Sequence, residues 1–173
     1  KRLFDLVLAS LGLIALAPVF AAIALWVKLD SPGPVFFRQV RIGQHGKPFR
    51  IHKFRTMVSS SGPAPMQITV GEDSRITRSG RFLRRFKLDE LAQLVDVVLG
   101  RMSLVGPRPE VPKYVALYPE DVRDVVLSVK PGITDSASIR FRNESEILAH
   151  AADPEREYVE TILPVKLEHY VKY

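Results

Sequence analysis

The chain has no cysteine among its 173 residues, so disulfides and thiolate metal sites are excluded and the redox compartment is unconstrained. Its four histidines, His45, His52, His150 and His169, are scattered and show no zinc-ligand spacing. No internal repeat is evident, which argues against solenoids and propellers. Acid is scarce in the first part of the chain. Residues 1–110 hold 17 Lys/Arg against 8 Asp/Glu, while residues 111–173 hold 8 against 11. The net charge of +6 is therefore concentrated toward the N-terminus and points to anionic partners: nucleic acid, an anionic membrane surface or phosphorylated substrates. The length suits one domain with a real core. The first residue is Lys1 rather than Met, as in an excerpt of a longer protein.

Charge is absent altogether from residues 6–27, a run of 22 residues long enough to reach across a bilayer's hydrocarbon if straight. Pro18 lies in its middle, where it removes a helix hydrogen bond and opposes the carbonyl of Ile14, an interruption of about 3 kcal/mol. Cations flank both ends: Lys1 and Arg2 before, Lys28, Arg38, Arg41, Lys47 and Arg50 after. A helix bent at Ala17-Pro18 that dips into one leaflet and returns satisfies both facts. A kinked full span is the alternative. A signal peptide is disfavoured, because Lys28-Leu29-Asp30 rather than a small-residue cleavage site follows. Trp26 suits an interfacial anchor.

Residues 30–34 form a turn cluster that stops this helix. Residues 35–42 and 49–57, rich in β-branched and aromatic side chains, predict a hairpin in which Lys53 and Arg55 share a face opposite Phe54. Residues 59–65 read as a mobile loop by composition. A short basic helix is expected over residues 80–86. Short helices follow over residues 112–117 and 119–128, with Pro119 opening the second. Residues 130–134 read as a turn, 136–141 as a short strand, and 144–149 and 154 onward as helix, broken near Pro164.

The most informative stretch is residues 81–110. Leu88, Leu91, Leu94, Val95 and Val98 recur at helical spacing, predicting an apolar face toward the core over residues 88–99, with Gly100 as the stop. Asp89 and Glu90 then occupy the first turn, where the helix dipole favours negative charge, so both carboxylates should be ionised and at least one exposed. Arg81, Arg84, Arg85 and Lys87 crowd the approach, and Arg108 sits in the stiff turn Gly106-Pro107-Arg108-Pro109. Two acids ringed by cations suit a metal-bound phosphate. Acids paired with arginines across solvent would look the same.

Six segments in this order resemble one family, the bacterial sugar transferases, or monotopic phosphoglycosyl transferases. They are residues 1–5 (Lys-Arg-Leu-Phe-Asp), 30–39, 53–57 (Lys-Phe-Arg-Thr-Met), 88–91 (Leu-Asp-Glu-Leu), 102–110 and 130–134 (Lys-Pro-Gly-Ile-Thr). The resemblance implies an α+β fold, membrane-associated. Residues 1–29 would be a re-entrant helix bent at Pro18, and residues 30–173 a small, mainly helical catalytic domain with a short β-hairpin, forming a single unit with that helix. It implies transfer of a sugar 1-phosphate from a UDP-sugar to polyprenyl (undecaprenyl) phosphate at the cytoplasmic face of a bacterial inner membrane, with release of UMP. Asp89 would be the nucleophile. Glu90, with Asp89 beside it, would hold Mg²⁺. The candidate substrate-binding residues are Lys53, Arg55, Arg84, Arg108, Pro109 and Arg142, of which Lys53, Arg55, Arg84 and Arg108 occupy family positions expected near phosphate or nucleotide. A phospholipid bilayer is an expected partner, nucleic acid is not, and a homodimer stays open.

The chain departs from the family pattern at several positions. Ala17 replaces the usual Ser before the bend proline. Lys87 replaces the Ser or Thr that would form a capping box with Glu90. Ala92 replaces a common Pro, residues 135–139 replace the usual Gly-Leu-Ala-Gln-Val, Tyr170 falls where many members have Asp, and the chain stops short of the usual tail. A non-catalytic peripheral protein that binds anionic lipid or another polyanion is the competing reading; it gives no reason for two carboxylates at the centre of a basic surface.

Overall fold

The computed structural model describes residues 1–58 and 73–173. The expected loop at residues 59–65 lies outside the described residues. Two helices open the chain, α1 (Arg2–Ala15) and α2 (Ala17–Asp30), meeting at 62°. The break falls at Leu16, just before the expected Ala17-Pro18. Pro18 thereby lies in the first turn of α2, where a missing N–H goes unused. The Leu16 N–H donates to the Gly12 carbonyl at 2.9 Å and the Phe20 N–H to the Leu16 carbonyl at 2.8 Å, so the bend opens few backbone groups. Among the described residues no single helix is long and apolar enough to cross a membrane. Large apolar side chains on this pair face outward; Leu3, Ile14 and Leu29 are 74%, 73% and 77% exposed.

The predicted hairpin forms from β1 (Phe36–Ile42) and β2 (Pro48–Phe54), antiparallel from Phe36 opposite Phe54 to Ile42 opposite Pro48. The basic helix is α3 (Arg78–Arg85), capped by the Thr77 side chain, which accepts from the Gly80 N–H at 2.9 Å. Lys87 then takes a left-handed conformation, φ +56°, and turns the chain into a 3₁₀ segment, Leu88–Gln93, followed by α4 (Leu94–Val98). Gly100, at φ +79°, ends it as expected.

The buried face of this segment is not the predicted one. Asp89, Ala92, Gln93, Asp96 and Val97 are buried, whereas Leu88, Leu91, Leu94, Val95 and Val98 are only partly so. The reason is the surface it packs on. The segment lies along β2, where the His52 N–H is donated to the Asp96 carboxylate, so a polar side chain faces inward at that point.

Residues 130–134 are more than a turn. β3 (Ser103–Val105) and β4 (Gly132–Thr134) pair in parallel. They run so close that a Cβ on Gly132 would lie 2.1 Å from the Gly106 nitrogen, which is why glycine stands in both motifs. Beyond β3 come α5 (Pro112–Val115) and α6 (Glu120–Leu127), with Pro119 as the cap of α6 rather than its first residue. The expected strand at 136–141 is instead α7 (Ser136–Arg140). The Asp135 carboxylate accepts from the Ser138 N–H at 2.9 Å and its hydroxyl at 2.6 Å, an N-cap that overrides the β-leaning composition. α8 (Glu144–Ala149) and α9 (Pro154–Glu157) follow. The helix does not break near Pro164; a π turn, Tyr158–Ile162, carries α9 into α10 (Leu163–Lys172) and places the proline in α10's first turn.

Three apolar clusters hold these parts. The C-terminal helices close around Tyr114, Tyr118, Leu148, Tyr158, Ile162 and Tyr170. Ile23 and Val27 of α2 pack with Phe54, Leu83 and Ala92. Ala9 of α1 packs with Ile51, Val97 and Met102.

Candidate active site

Lys53, Arg55, Arg84, Asp89, Glu90, Arg108 and Arg142 all border one open cleft of about 1860 Å³ between the hairpin, the 3₁₀ segment and the C-terminal helices. Glu90 is its electrostatic centre. Its Oε1 accepts from Lys53 Nζ at 2.9 Å and from Arg108 Nη2, and its Oε2 accepts from Arg108 Nη1 at 3.0 Å. The fork of Arg108 thus grips both carboxylate oxygens. Burial alone would raise the Glu90 carboxyl, but the charges and hydrogen bonds of Arg108 and Lys53 hold it well below the usual range. Glu90 in turn keeps the Arg108 guanidinium firmly charged. Lys53 is pushed down by burial, with Glu90 opposing.

Asp89 differs sharply from its neighbour. It is 8% exposed, and its Oδ1 is buried without a hydrogen-bond partner among the described residues. Desolvation raises its carboxyl, against the pull of Lys53 and Arg84. The expectation that at least one carboxylate is exposed therefore fails, since the Glu90 side chain is only 15% exposed. The environment also favours the charge on Glu90 far more than that on Asp89.

The two cations expected to share a strand face diverge. β2 ends at Phe54, so alternation stops there. Arg55 is buried with Nη2 donating to the Val27 carbonyl at 3.1 Å, the Ser31 carbonyl at 2.7 Å and Ser31 Oγ at 2.9 Å. It thus binds the end of α2, while Lys53 binds Glu90. Arg84 Nη1 lies 3.9 Å from Met57 Sδ and is close enough to Asp89 to favour its ionised form. Pro109 is buried behind Arg108, and its carbonyl accepts from Arg41 Nη1 at 3.0 Å. Arg142 is exposed on the far rim.

Sequence reasoning overlooked the support behind this turn. Arg41 also donates to Gln39 Oε1 at 2.7 Å and lies 3.6 Å from Glu110, which accepts from the Tyr158 hydroxyl at 2.8 Å. Lys166 Nζ lies 2.5 Å from Glu144 and 4.8 Å from the centre of the Tyr158 ring. The available signal was Arg41 itself, an inward position two residues from Gln39 on β1. Nothing in the local pattern marked Tyr158 or Lys166. Arg108 pairs with Glu90 rather than with its near neighbour Glu110.

The family described as bacterial sugar transferase matches residues 1–166. The UDP-glucose:undecaprenyl-phosphate glucose-1-phosphate transferase of Escherichia coli (strain K12) is 45% identical over 151 residues, covering 86% of this chain and 32% of that protein. The UDP-N-acetylgalactosamine-undecaprenyl-phosphate N-acetylgalactosaminephosphotransferase of Aeromonas hydrophila is 38% identical, covering 80% of this chain and 33% of that protein. A sugar transferase of Bacillus subtilis (strain 168), described as uncharacterized, is 43% identical, covering 83% of this chain and 69% of that protein. The chain thus spans about a third of the two transferases named for their substrates. The match over nearly the whole chain places the protein by descent: it belongs to the bacterial sugar transferase family.

Proposed function

We propose that the protein transfers a sugar 1-phosphate from a UDP-sugar to polyprenyl phosphate, yielding a polyprenyl-diphosphate sugar and UMP, as the first membrane step of bacterial glycoconjugate assembly. One observation carries the reading. A desolvated carboxylate with an unpartnered oxygen, Asp89, borders the same cleft as a second carboxylate locked by two cations. A surface that only bound polyanions would gain nothing from Asp89.

Asp89 attacks the phosphorus that carries the sugar. A bond forms from its carboxylate oxygen to phosphorus, the phosphorus–oxygen bond to UMP breaks, and UMP departs with the electron pair. An oxygen of polyprenyl phosphate then attacks the same phosphorus and Asp89 leaves as a carboxylate. Both displacements are in line, so UMP and the acceptor phosphate use the same side, opposite Asp89. Lys53, Arg84 and Arg108 supply positive charge where the diphosphate lies. Desolvation makes Asp89 the more reactive carboxylate, while the double grip of Arg108 assigns Glu90 to orientation.

The residues also fit Mg²⁺. This ion is commonly held by one or two carboxylates together with substrate phosphates, and here Asp89 Oδ1 is unpartnered while Glu90 Oε2, with a single donor, retains a lone pair. Glu90, with Asp89 beside it, would hold the ion, which when bound neutralises diphosphate charge. Re-entry of α1 and α2 into one leaflet from the cytoplasmic face is supported by their 62° bend, their outward apolar side chains and the cations at both ends.

The test is intact-protein mass spectrometry after incubation with UDP-glucose or UDP-N-acetylgalactosamine and no lipid acceptor. A phosphosugar adduct should map to Asp89, and Asp89→Asn should give neither adduct nor UMP. An adduct on Glu90 would reverse the roles. No trapped adduct, with turnover requiring both substrates at once, would favour direct attack by the lipid phosphate.

A further inference from the structure

Asp96 is completely buried, seven residues beyond Asp89 on the inward face of the 3₁₀–α4 segment. Its Oδ2 accepts the backbone N–H of His52 at 2.8 Å, and its Oδ1 lies 2.9 Å from His52 Nδ1. Arg101 Nη1 approaches from the other side at 3.6 Å. One carboxylate therefore holds both the main chain and the side chain of a single residue. That residue is on β2, and the next one, Lys53, reaches Glu90 at 2.9 Å. Because both Asp96 oxygens accept, His52 Nδ1 carries the proton.

We propose that His52 and Asp96 are a positioning pair, pinning β2 to α4 so that Lys53 is held on Glu90. The inference rests on the functional reading above for its kinetic arm. The physical argument is one of leverage. Lys53 is long and flexible, and its ammonium can be held in one place only if its own Cα is fixed relative to the segment carrying Glu90. The inter-strand pairing of β2 with β1 does not supply this, since β1 is on the opposite side of β2 from α4. The two-point hold of Asp96 does, from within the same segment as Glu90. Neither residue borders the cleft, so the pair acts through Lys53 and is not itself catalytic.

The test uses the full chain in detergent or nanodiscs and three variants: His52→Ala, His52→Asn and Lys53→Ala. His52→Ala should lower kcat at least about tenfold per folded molecule with KM changed less than about threefold, because misplacing a group near the reacting atoms weighs on the transition state. His52→Asn, whose side-chain N–H can replace Nδ1–H, should recover most of the loss. In the Lys53→Ala background His52→Ala should cost less than about twofold, since residues that act through one another are non-additive. Independent effects, with the full loss repeated in that background, would overturn the proposal. A second arm needs no turnover: acylation of Lys53 by an amine-reactive ester, read by peptide mass spectrometry. Lys53 should react at least about tenfold faster in His52→Ala than in the parent or His52→Asn, by the same reasoning that an unpinned side chain samples open states. Equal rates would sink the pairing. Absence of UMP release by the parent protein would instead count against the functional reading, and the labelling arm would still decide the pairing.

Discussion

Asp89 and Glu90 are adjacent, yet their neutral isosteres should shift stability in opposite directions. Glu90→Gln removes the charge from an acceptor of three hydrogen bonds, one from Lys53 and two from Arg108, and the amide nitrogen cannot accept at all. Hydrogen bonds to charged groups contribute about 1.5–3 kcal/mol against about 0.5–1.5 for neutral ones, so a loss of about 3 kcal/mol is expected. For a chain of this size that lowers Tm by about 6–12 °C. Asp89→Asn should raise Tm, because the ionised Asp89 is desolvated and has an oxygen without a partner. The pH dependence follows the same division. The folded-state carboxyl of Asp89 is raised above 3.8, so its cost to the parent grows as pH rises from there through the folded value, and the advantage of Asp89→Asn levels off above that window. The folded-state carboxyl of Glu90 lies well below 4.5, so its contribution is complete above that pH and fades as pH falls below it; the deficit of Glu90→Gln should shrink in acid. Thermal melts by near-UV circular dichroism from pH 8 down to well below pH 4 would read both, with UMP release measured alongside at neutral pH. Equal destabilisation by the two variants at pH 7 would refute the argument that desolvation sets Asp89 apart.

Arg108→Lys keeps a charge but loses the fork on Glu90, so kcat/KM in UMP release should fall at least about tenfold, or about 1.4 kcal/mol; an unchanged value would return Arg108 to a purely structural pairing. Gly132→Ala drives a Cβ into the Gly106 backbone and should lower stability by about 3 kcal/mol, with soluble expression and Tm as the readout. Cysteines placed at exposed Lys1 and Pro32 should label from the same side of the membrane, both in the parent and in Pro18→Leu; labelling from opposite sides would overturn re-entry.

The sequence exposed local elements better than the packing between them. The bend, the hairpin, the basic helix and the Gly100 stop were all legible, because each rests on a local rule: a proline, an alternation, a run of cations, a positive φ. The parallel pairing of residues 103–105 with 132–134 was not, because a three-residue strand has no period and its partner is remote in sequence. The buried face of the 88–98 segment was misread for a related reason. Hydrophobic periodicity assumes an apolar surface opposite the helix, whereas here the surface is a strand edge whose His52 N–H favours Asp96. The same limit applies to Arg55. Alternation placed it beside Lys53, but the strand ends one residue earlier and the guanidinium turns to the carbonyls that end α2.

These buried ties mean that the bent helical pair is part of the site's framework rather than an appendage. Asp5 of α1 accepts from Ser103 Oγ at 2.8 Å and from the Leu104 N–H at 3.3 Å, gripping the strand that leads into the Arg108 turn. Arg2 donates to the Val98 carbonyl at 2.9 Å, at the end of the helix that follows Glu90. On the other arm, Asp30 accepts from the Ser79 N–H and hydroxyl, each at 2.8 Å, and Arg55 reaches α2 from a position two residues past Lys53. Straightening the pair in Pro18→Leu would recover at most one backbone hydrogen bond at residue 18, about 0.5–1.5 kcal/mol, and would require breaking polar contacts at both ends, each of comparable or larger worth. The angle between α1 and α2 is thus set by where β3, α3 and the end of β2 hold their outer ends. Pro18 makes that angle inexpensive without being its cause, which is why the position of the bend, at Leu16, need not coincide with the proline.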